Sequence, residues 1–240
     1  MTYSWQAILV FLATLVSLTF LLRLVIFRVP AFVRMRALND EADAGKITRR
    51  IVKETVDASN RAGLLTNLLF YAAVLPWCLS FAPRPLWRHA LEIVAVLMLY
   101  DFLYYFTHRF LFHGKALRKV HALHHQAHTP TNIDAYFVHP LETAIGLVLF
   151  LVSMPLVALA SGAPLHAVSM AIATLIFTQL NILNHTYVNL PEFPYRSIST
   201  ITWLHAAHHV NMNKGNYATL TMLYDWMFGT LEKPVRRETA

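Results

Sequence analysis

Two short stretches concentrate the side chains able to do chemistry. "HALHHQAH" runs from His121 to His128 and "HAAHH" from His205 to His209, so the pattern HxxHH occurs twice. With 13 histidines in 240 residues, chance placement gives only about 0.04 such matches, the His frequency cubed times the length. Positions i, i+3 and i+4 share one face of a helix, so each triplet aims three rings into one region. Neutral imidazoles packed together each need hydrogen-bond partners, and protonated ones repel. A cation removes both difficulties, and imidazole is a ligand for Zn, Cu, Fe and Ni. Two triplets exceed what one tetrahedral ion holds, so two metals is the simpler count.

Other residues join these triplets as candidates. His108 and His113 in "HRFLFH" are five apart, about 140° around a straight helix. They share a site only where the helix ends, tightens or bulges between them. His185 in "NILNHTYVNLP" follows an apolar run just as His108 does, and His139 lies in "YFVHPLE". His128 continues the face of the first triplet, but Thr129 and Pro130 follow and can end that helix. Asp101 precedes His108 by seven residues, nearly on the same face. It either orients a ligand from behind or is a plain helix-end carboxylate. HExxH, G-x-S-x-G and a Gly-rich phosphate loop are absent. The single cysteine, Cys78, excludes an intrachain disulfide and a Cys-based zinc site.

The elements that position these residues are apolar. The chain is 56% hydrophobic and 14% charged, with mean hydropathy +0.45, against roughly 25% charged in soluble domains. Five apolar runs cover Trp5 to Phe27, Gly63 to Phe81, Leu86 to Thr107, Leu141 to Ala160 and Leu165 to Leu183. Each is near the roughly 20 residues that a helix needs to cross a bilayer. "SFAPRP" and "SGAPLH" join runs two to three and four to five as tight hairpins. The predicted fold is therefore all-α and polytopic, with a retained N-terminal anchor helix, two hairpins and a helical histidine-rich cap. The charged stretch "LNDEADAGKITRRIVKETVDASNRA" is predicted helical, and a division is placed between residues 1–62 and 63–240.

The net charge of +7 fits positive-inside bias and anionic headgroups better than nucleic acid, which is not expected as a partner. The long polar segments Arg28 to Arg61, His108 to Pro140 and Asn184 to Ala240 hold 8, 4 and 5 of the 20 Lys and Arg residues. Alternate threading puts all three on one side, the cytoplasmic one. Eleven histidines fall in the last two, and His89 and His166 fall at the opposite ends of the hairpins. The absence of a terminal retention signal favours a bacterial inner membrane over the endoplasmic reticulum.

Taken in order, "DFLYYFTHRFLFH", "HALHH", "HPLE", "NHTYVNLP", "HAAHH" and "NYATLTMLYDWMFGT" resemble the fatty acid hydroxylase/sterol desaturase superfamily of integral-membrane di-iron enzymes. These elements span Asp101 to Thr230, over half the chain. Two details depart from the family pattern: Asp225 precedes Trp226, inverting the usual pair, and Asn189 stands where one branch has a second His. The resemblance implies two iron ions as cofactors and O2 as co-substrate. It also implies hydroxylation or desaturation of an unactivated C–H bond of a lipid: a sterol, a fatty acyl chain or a related molecule. The ligands it implies are His108, His113, His121, His124, His125, His185, His205, His208 and His209, with His139 added and Asp101 behind them. No haem electron-carrier motif is visible, so a separate ferredoxin- or reductase-type donor is expected. Zinc is the expected substitute after purification, because it outcompetes ferrous iron at imidazole sites. The rival classes are a membrane haem cytochrome, a zinc hydrolase or carrier, and a structural membrane protein.

Overall fold

A computed structural model describes residues 2–190 and 193–235. The last residue of the "NHTYVNLP" element, Pro191, lies outside the described residues. The chain is helical, and among the described residues strand is confined to β1 (Leu79–Ser80) and β2 (Leu165–His166). Among the described residues, four helical stretches are long and apolar enough to cross a membrane: Trp5–Ile26, Leu86–Phe112, Pro140–Ala160 and Ala167–His185. The first is α1, started by Ser4, whose hydroxyl accepts from the Ala7 amide. The second is α5 (Leu86–Phe106) with a π-helical extension over Thr107–Phe112. The third and fourth are α7 (Pro140–Ala160), which opens on a proline at its first turn, and α8 (Ala167–His185).

The second apolar run corrects the expectation of five apolar helices. Gly63 to Phe81 is not a helix of its own. The charged stretch forms α2 (Pro30–Ala44) and the start of α3 (Arg50–Ala73), and α3 continues without a break into the apolar run. It ends at Val74, before Pro76, and gives way to the single turn α4 (Leu75–Cys78). A change in composition does not stop a helix; a proline or a cap does. The division expected between residues 62 and 63 falls inside α3.

The helices pack in a row. α3 lies along α7, α7 along α5, α5 along α8 and α8 along α1, whereas α3 has little contact with α8. Phe150 and Phe177 stack 4.1 Å apart, and Tyr100 meets both edge-on, so α5, α7 and α8 share one core. The hairpin ends are tied together by β1 pairing with β2. There Arg84 pairs with buried Glu92, whose Oε2 accepts from the His166 amide at 2.9 Å. His89 Nδ1 is 2.8 Å from the Ser169 hydroxyl in the same layer. His89 is 19 residues before His108, roughly 28 Å along the helix at its usual rise.

Candidate metal centre

The centre is built at the opposite end of these helices. α5 runs into the π-helical turn, where the His113 amide donates to the His108 carbonyl at 2.9 Å. This five-residue step widens the turn by one residue and brings His108 and His113 onto one side, the bulge that their spacing requires. A Cβ on Gly114 would lie 1.9 Å from the Phe110 carbonyl oxygen, so the turn closes only over a glycine. After it come the one-turn α6 (Arg118–His121) and a 3₁₀ turn over His124–Gln126. α9 (Arg196–Val210) carries the second triplet.

Nine buried histidines form two clusters. His108, His113, His121, His125 and His208 form one; His124, His185, His205 and His209 form the other. Within each, one nitrogen per ring lies within 4.8 Å of all the others. Each triplet is therefore shared between the clusters, not aimed into one region as its spacing predicts. In the first triplet His121 and His125, one turn apart, join one cluster, while His124 flanks them and joins the other. On α9, His205 and His209 are one turn apart and face one cluster, while His208 flanks them and faces the other.

The outer nitrogens of five rings are fixed by acceptors, while the Nδ1 atoms of His125, His205 and His209 are buried with no hydrogen-bond partner among the described residues. His108 Nδ1 is 2.6 Å from the Tyr217 carbonyl, His113 Nδ1 2.6 Å from Met212 and His208 Nδ1 2.8 Å from Gly215. His121 Nδ1 is 2.7 Å from Glu142 Oε1, and His185 Nδ1 2.9 Å from the Asn181 carbonyl. These oxygens only accept, so each Nδ1 carries the proton and each Nε2 is a bare lone pair. The Nε2 atoms face one another. Nε2 atoms are 3.0 Å apart in His108 and His121, 3.2 Å in His113 and His121, and 3.3 Å in His113 and His208. In the other cluster, His124 and His185, His185 and His205, and His205 and His209 stand at 3.0, 3.0 and 3.1 Å.

Protonation does not relieve this crowding. Burial, and then the neighbouring rings, hold His124, His205, His208 and His209 well below the ordinary imidazole range. The same causes lower His113 to about 4 and His125 further. Neutral rings whose inner nitrogens converge this closely suit a cation, and the all-nitrogen donor set suits a transition metal. The residues fit the metal ions that the family resemblance implies.

A loop supports the first cluster. Asp225 on α10 (Leu223–Met227) accepts from the Tyr217 and Ala218 amides, both at 2.8 Å, and from the Thr230 hydroxyl at 2.7 Å. Asn216, at φ 62°, donates to the Leu204 carbonyl at 2.8 Å. This network sets the Met212, Gly215 and Tyr217 carbonyls against His113, His208 and His108. Asn216 and Glu142 were not singled out from sequence, and Asp225 was noted only for its order with Trp226, not as a site residue. Their signal is membership of the "NYATLTMLYDWMFGT" and "HPLE" elements, which shows only once the carboxylates meet their partners.

Three sequence candidates are placed elsewhere. Asp101 accepts from the Thr219, Leu220 and Thr221 amides and from the Thr221 hydroxyl, between 2.7 and 3.1 Å, so it anchors backbone and not an imidazole. His139 caps α7, its Nδ1 accepting from the Leu141 amide at 3.1 Å, and belongs to neither cluster. His128 is exposed and also outside both.

A cavity of about 380 Å³ adjoins the histidines, walled by α3, α5, α7 and α8 and reaching His108, His124, His185 and His205. On each wall it follows one helix face, for instance Tyr100, Tyr104 and His108 on α5 and Phe177, Asn181 and His185 on α8. Eight residues of helix give it a depth of roughly 12 Å.

The fold and site together define a multi-pass helical membrane protein with two buried imidazole clusters beside a cavity. Residues 93–230 match the family described as fatty acid hydroxylase, and the chain belongs to that family, within the fatty acid hydroxylase/sterol desaturase superfamily. The matched stretch contains all nine clustered histidines. The chain is 30% identical over 168 residues to methylsterol monooxygenase 2-2 of Arabidopsis thaliana, covering 66% of this chain and 59% of the relative. It is 31% identical over 133 residues to methylsterol monooxygenase 1 of Rattus norvegicus, covering 54% and 43%. It is 29% identical over 157 residues to very-long-chain aldehyde decarbonylase GL1-11 of Oryza sativa subsp. japonica, covering 63% and 56%. The chain thus spans about half the length of these curated relatives. No solved structure matches it.

Proposed function

We propose that the protein is an integral-membrane oxygenase that oxidises an unactivated C–H bond of a lipid, using O2, external electrons and two iron ions. The observation that carries this is the convergence of bare imidazole nitrogens in two adjacent clusters, one of five rings and one of four. His108, His113, His121, His125 and His208 would hold one ion, and His124, His185, His205 and His209 the other. Such an iron pair supplies O2 reduction and the attack on an unactivated C–H bond, for which no side chain suffices. The protein's own residues orient the rings through Glu142, Asn181 and the 212–217 carbonyls, and bury them away from water. The cavity beside the clusters would take the lipid, which fits the names of the relatives. Rings with Nε2 atoms 3.0 to 3.3 Å apart leave no room for a porphyrin between them, which argues against a haem cytochrome.

The Lys and Arg distribution supports a cytoplasmic position for the clusters, where a soluble ferredoxin- or reductase-type donor would reach them. The test is turnover. Protein reloaded with iron should oxidise extracted membrane lipids only with O2 and reductant present, and the zinc-loaded protein should not. Equal turnover with zinc would refute the oxygenase assignment.

A further inference from the structure

We infer that Tyr104 and Asn181 position the substrate by hydrogen-bonding an oxygen-bearing group close to the carbon that is oxidised. The inference rests on the oxygenase proposed above and narrows its substrate class. Several polar side chains on the cavity wall are already engaged, whereas Asn60, Asn67 and Tyr136 have no side-chain hydrogen bond among the described residues. Ser59 and Thr143 share a hydrogen bond at 2.6 Å, the Thr178 hydroxyl donates to the Thr174 carbonyl at 2.9 Å, and Tyr100 meets Thr219 at 3.3 Å. Glu142 Oε1 is taken by His121, and its Oε2, buried on the same wall, has no hydrogen-bond partner among the described residues. The Tyr104 hydroxyl and the Asn181 amide line the same cavity, and neither side chain has a hydrogen bond among the described residues.

Their positions match. Tyr104 is one turn before His108 on α5, and Asn181 is one turn before His185 on α8. Both therefore sit roughly 6 Å below a cluster histidine, on two helices that pack together. The Tyr104 ring reaches the clusters, its centroid 5.2 Å from that of His108. Opposite it, α7 passes close beside the ring at Gly146, where a Cβ would meet Tyr104 Cε2 at 3.7 Å, an ordinary contact. Much of the remaining wall is hydrocarbon, with Leu64, Leu147 and Phe177. A phenol and an amide left unpaired in such a setting are matched by a ligand that brings its own hydroxyl or carbonyl. The pair selects a lipid whose oxidised carbon lies within a few bonds of that group, and disfavours attack in the middle of a plain hydrocarbon chain.

Binding tests this without turnover. Zinc, which is redox-inert, would fill the clusters of protein in nanodiscs. The probes are a long-chain primary alcohol and a 3β-hydroxysterol, each beside its parent hydrocarbon. Tyr104→Phe and Asn181→Leu should each weaken binding of one of the two alcohols by about threefold to tenfold, the value of a neutral hydrogen bond. The parent hydrocarbons should bind the variants as they bind the wild type, and the skeleton that shows the loss identifies the source of the hydroxyl. Metal content should hold in both variants, because Asn181 orients His185 through its backbone carbonyl. Variants that bind both alcohols within twofold of wild type overturn the inference. So do variants that lose alcohol and hydrocarbon equally, which would reveal a change of shape. Failure of the oxygenase proposal is seen separately, as iron-loaded protein with no O2-dependent turnover.

Discussion

Glu142→Ala should empty one metal site and spare the other. Glu142 is 5% exposed and accepts from His121 Nδ1 at 2.7 Å. That contact fixes the ring's tautomer and turns its Nε2 toward His108 and His113. A buried hydrogen bond to a charged group is worth roughly 1.5–3 kcal/mol, which is about tenfold to a hundredfold in metal affinity, the usual range for a partner behind a metal-binding His. His121 belongs to only one cluster, so the loss should fall on one ion. Glu142→Gln keeps an acceptor oxygen and should lose only a few-fold. The assay is metal released to a chelator of graded strength, counted per chain. The wild type should give up both ions at high chelator, and Glu142→Ala should give up one of them at about tenfold or more lower chelator. Both ions leaving together, or neither leaving earlier, would refute the division into two sites.

Three further predictions use the same geometry. His208→Ala and His209→Ala, at adjacent positions, should each lose about half of the bound metal but from different clusters, so the double variant should lose nearly all of it; metal analysis of the three proteins checks this. Gly114→Ala should break the π-helical turn by placing a methyl against the Phe110 carbonyl, and His113 should drop out of its cluster, read as weaker metal retention, whereas His139→Ala should cost only a helix cap, about 0.5–2 kcal/mol, with metal content kept. Metal-free protein should lose stability on acidification: burial lowers His124, His205, His208 and His209, so the unfolded chain takes up protons first as pH falls below about 6.5, and melting temperature should drop from pH 7 to pH 5, where a flat profile would contradict the neutral-ring assignment.

The histidine positions were legible in the sequence because HxxHH is rare by chance and helical spacing gathers its rings. The need for a bulge between His108 and His113 was legible as well, since five residues do not close a straight helical turn. The sharing of each triplet was not, because i and i+4 lie about 40° apart on a helix while i+3 lies about 60° to the other side, and which cluster that middle ring joins depends on partners from distant segments. Glu142 was hidden for a different reason. Its role exists only when the first turn of α7 meets His121, 21 residues earlier in the chain. The second apolar run misled for lack of a stop: hydropathy changes near Gly63, but the backbone keeps its helix until Val74. Asp101 was expected either to orient a ligand or to be a plain helix-end carboxylate, but its partners are amides of residues 219 to 221, a contact between distant segments that the sequence does not display.

The most direct test of the central claim is an anaerobic iron titration of metal-free protein, followed by metal-to-protein ratio. Two clusters of bare imidazole nitrogens predict a plateau at two irons per chain, falling to one in His208→Ala. A plateau at one, or no saturable binding, would contradict the assignment of the nine histidines to two metal sites.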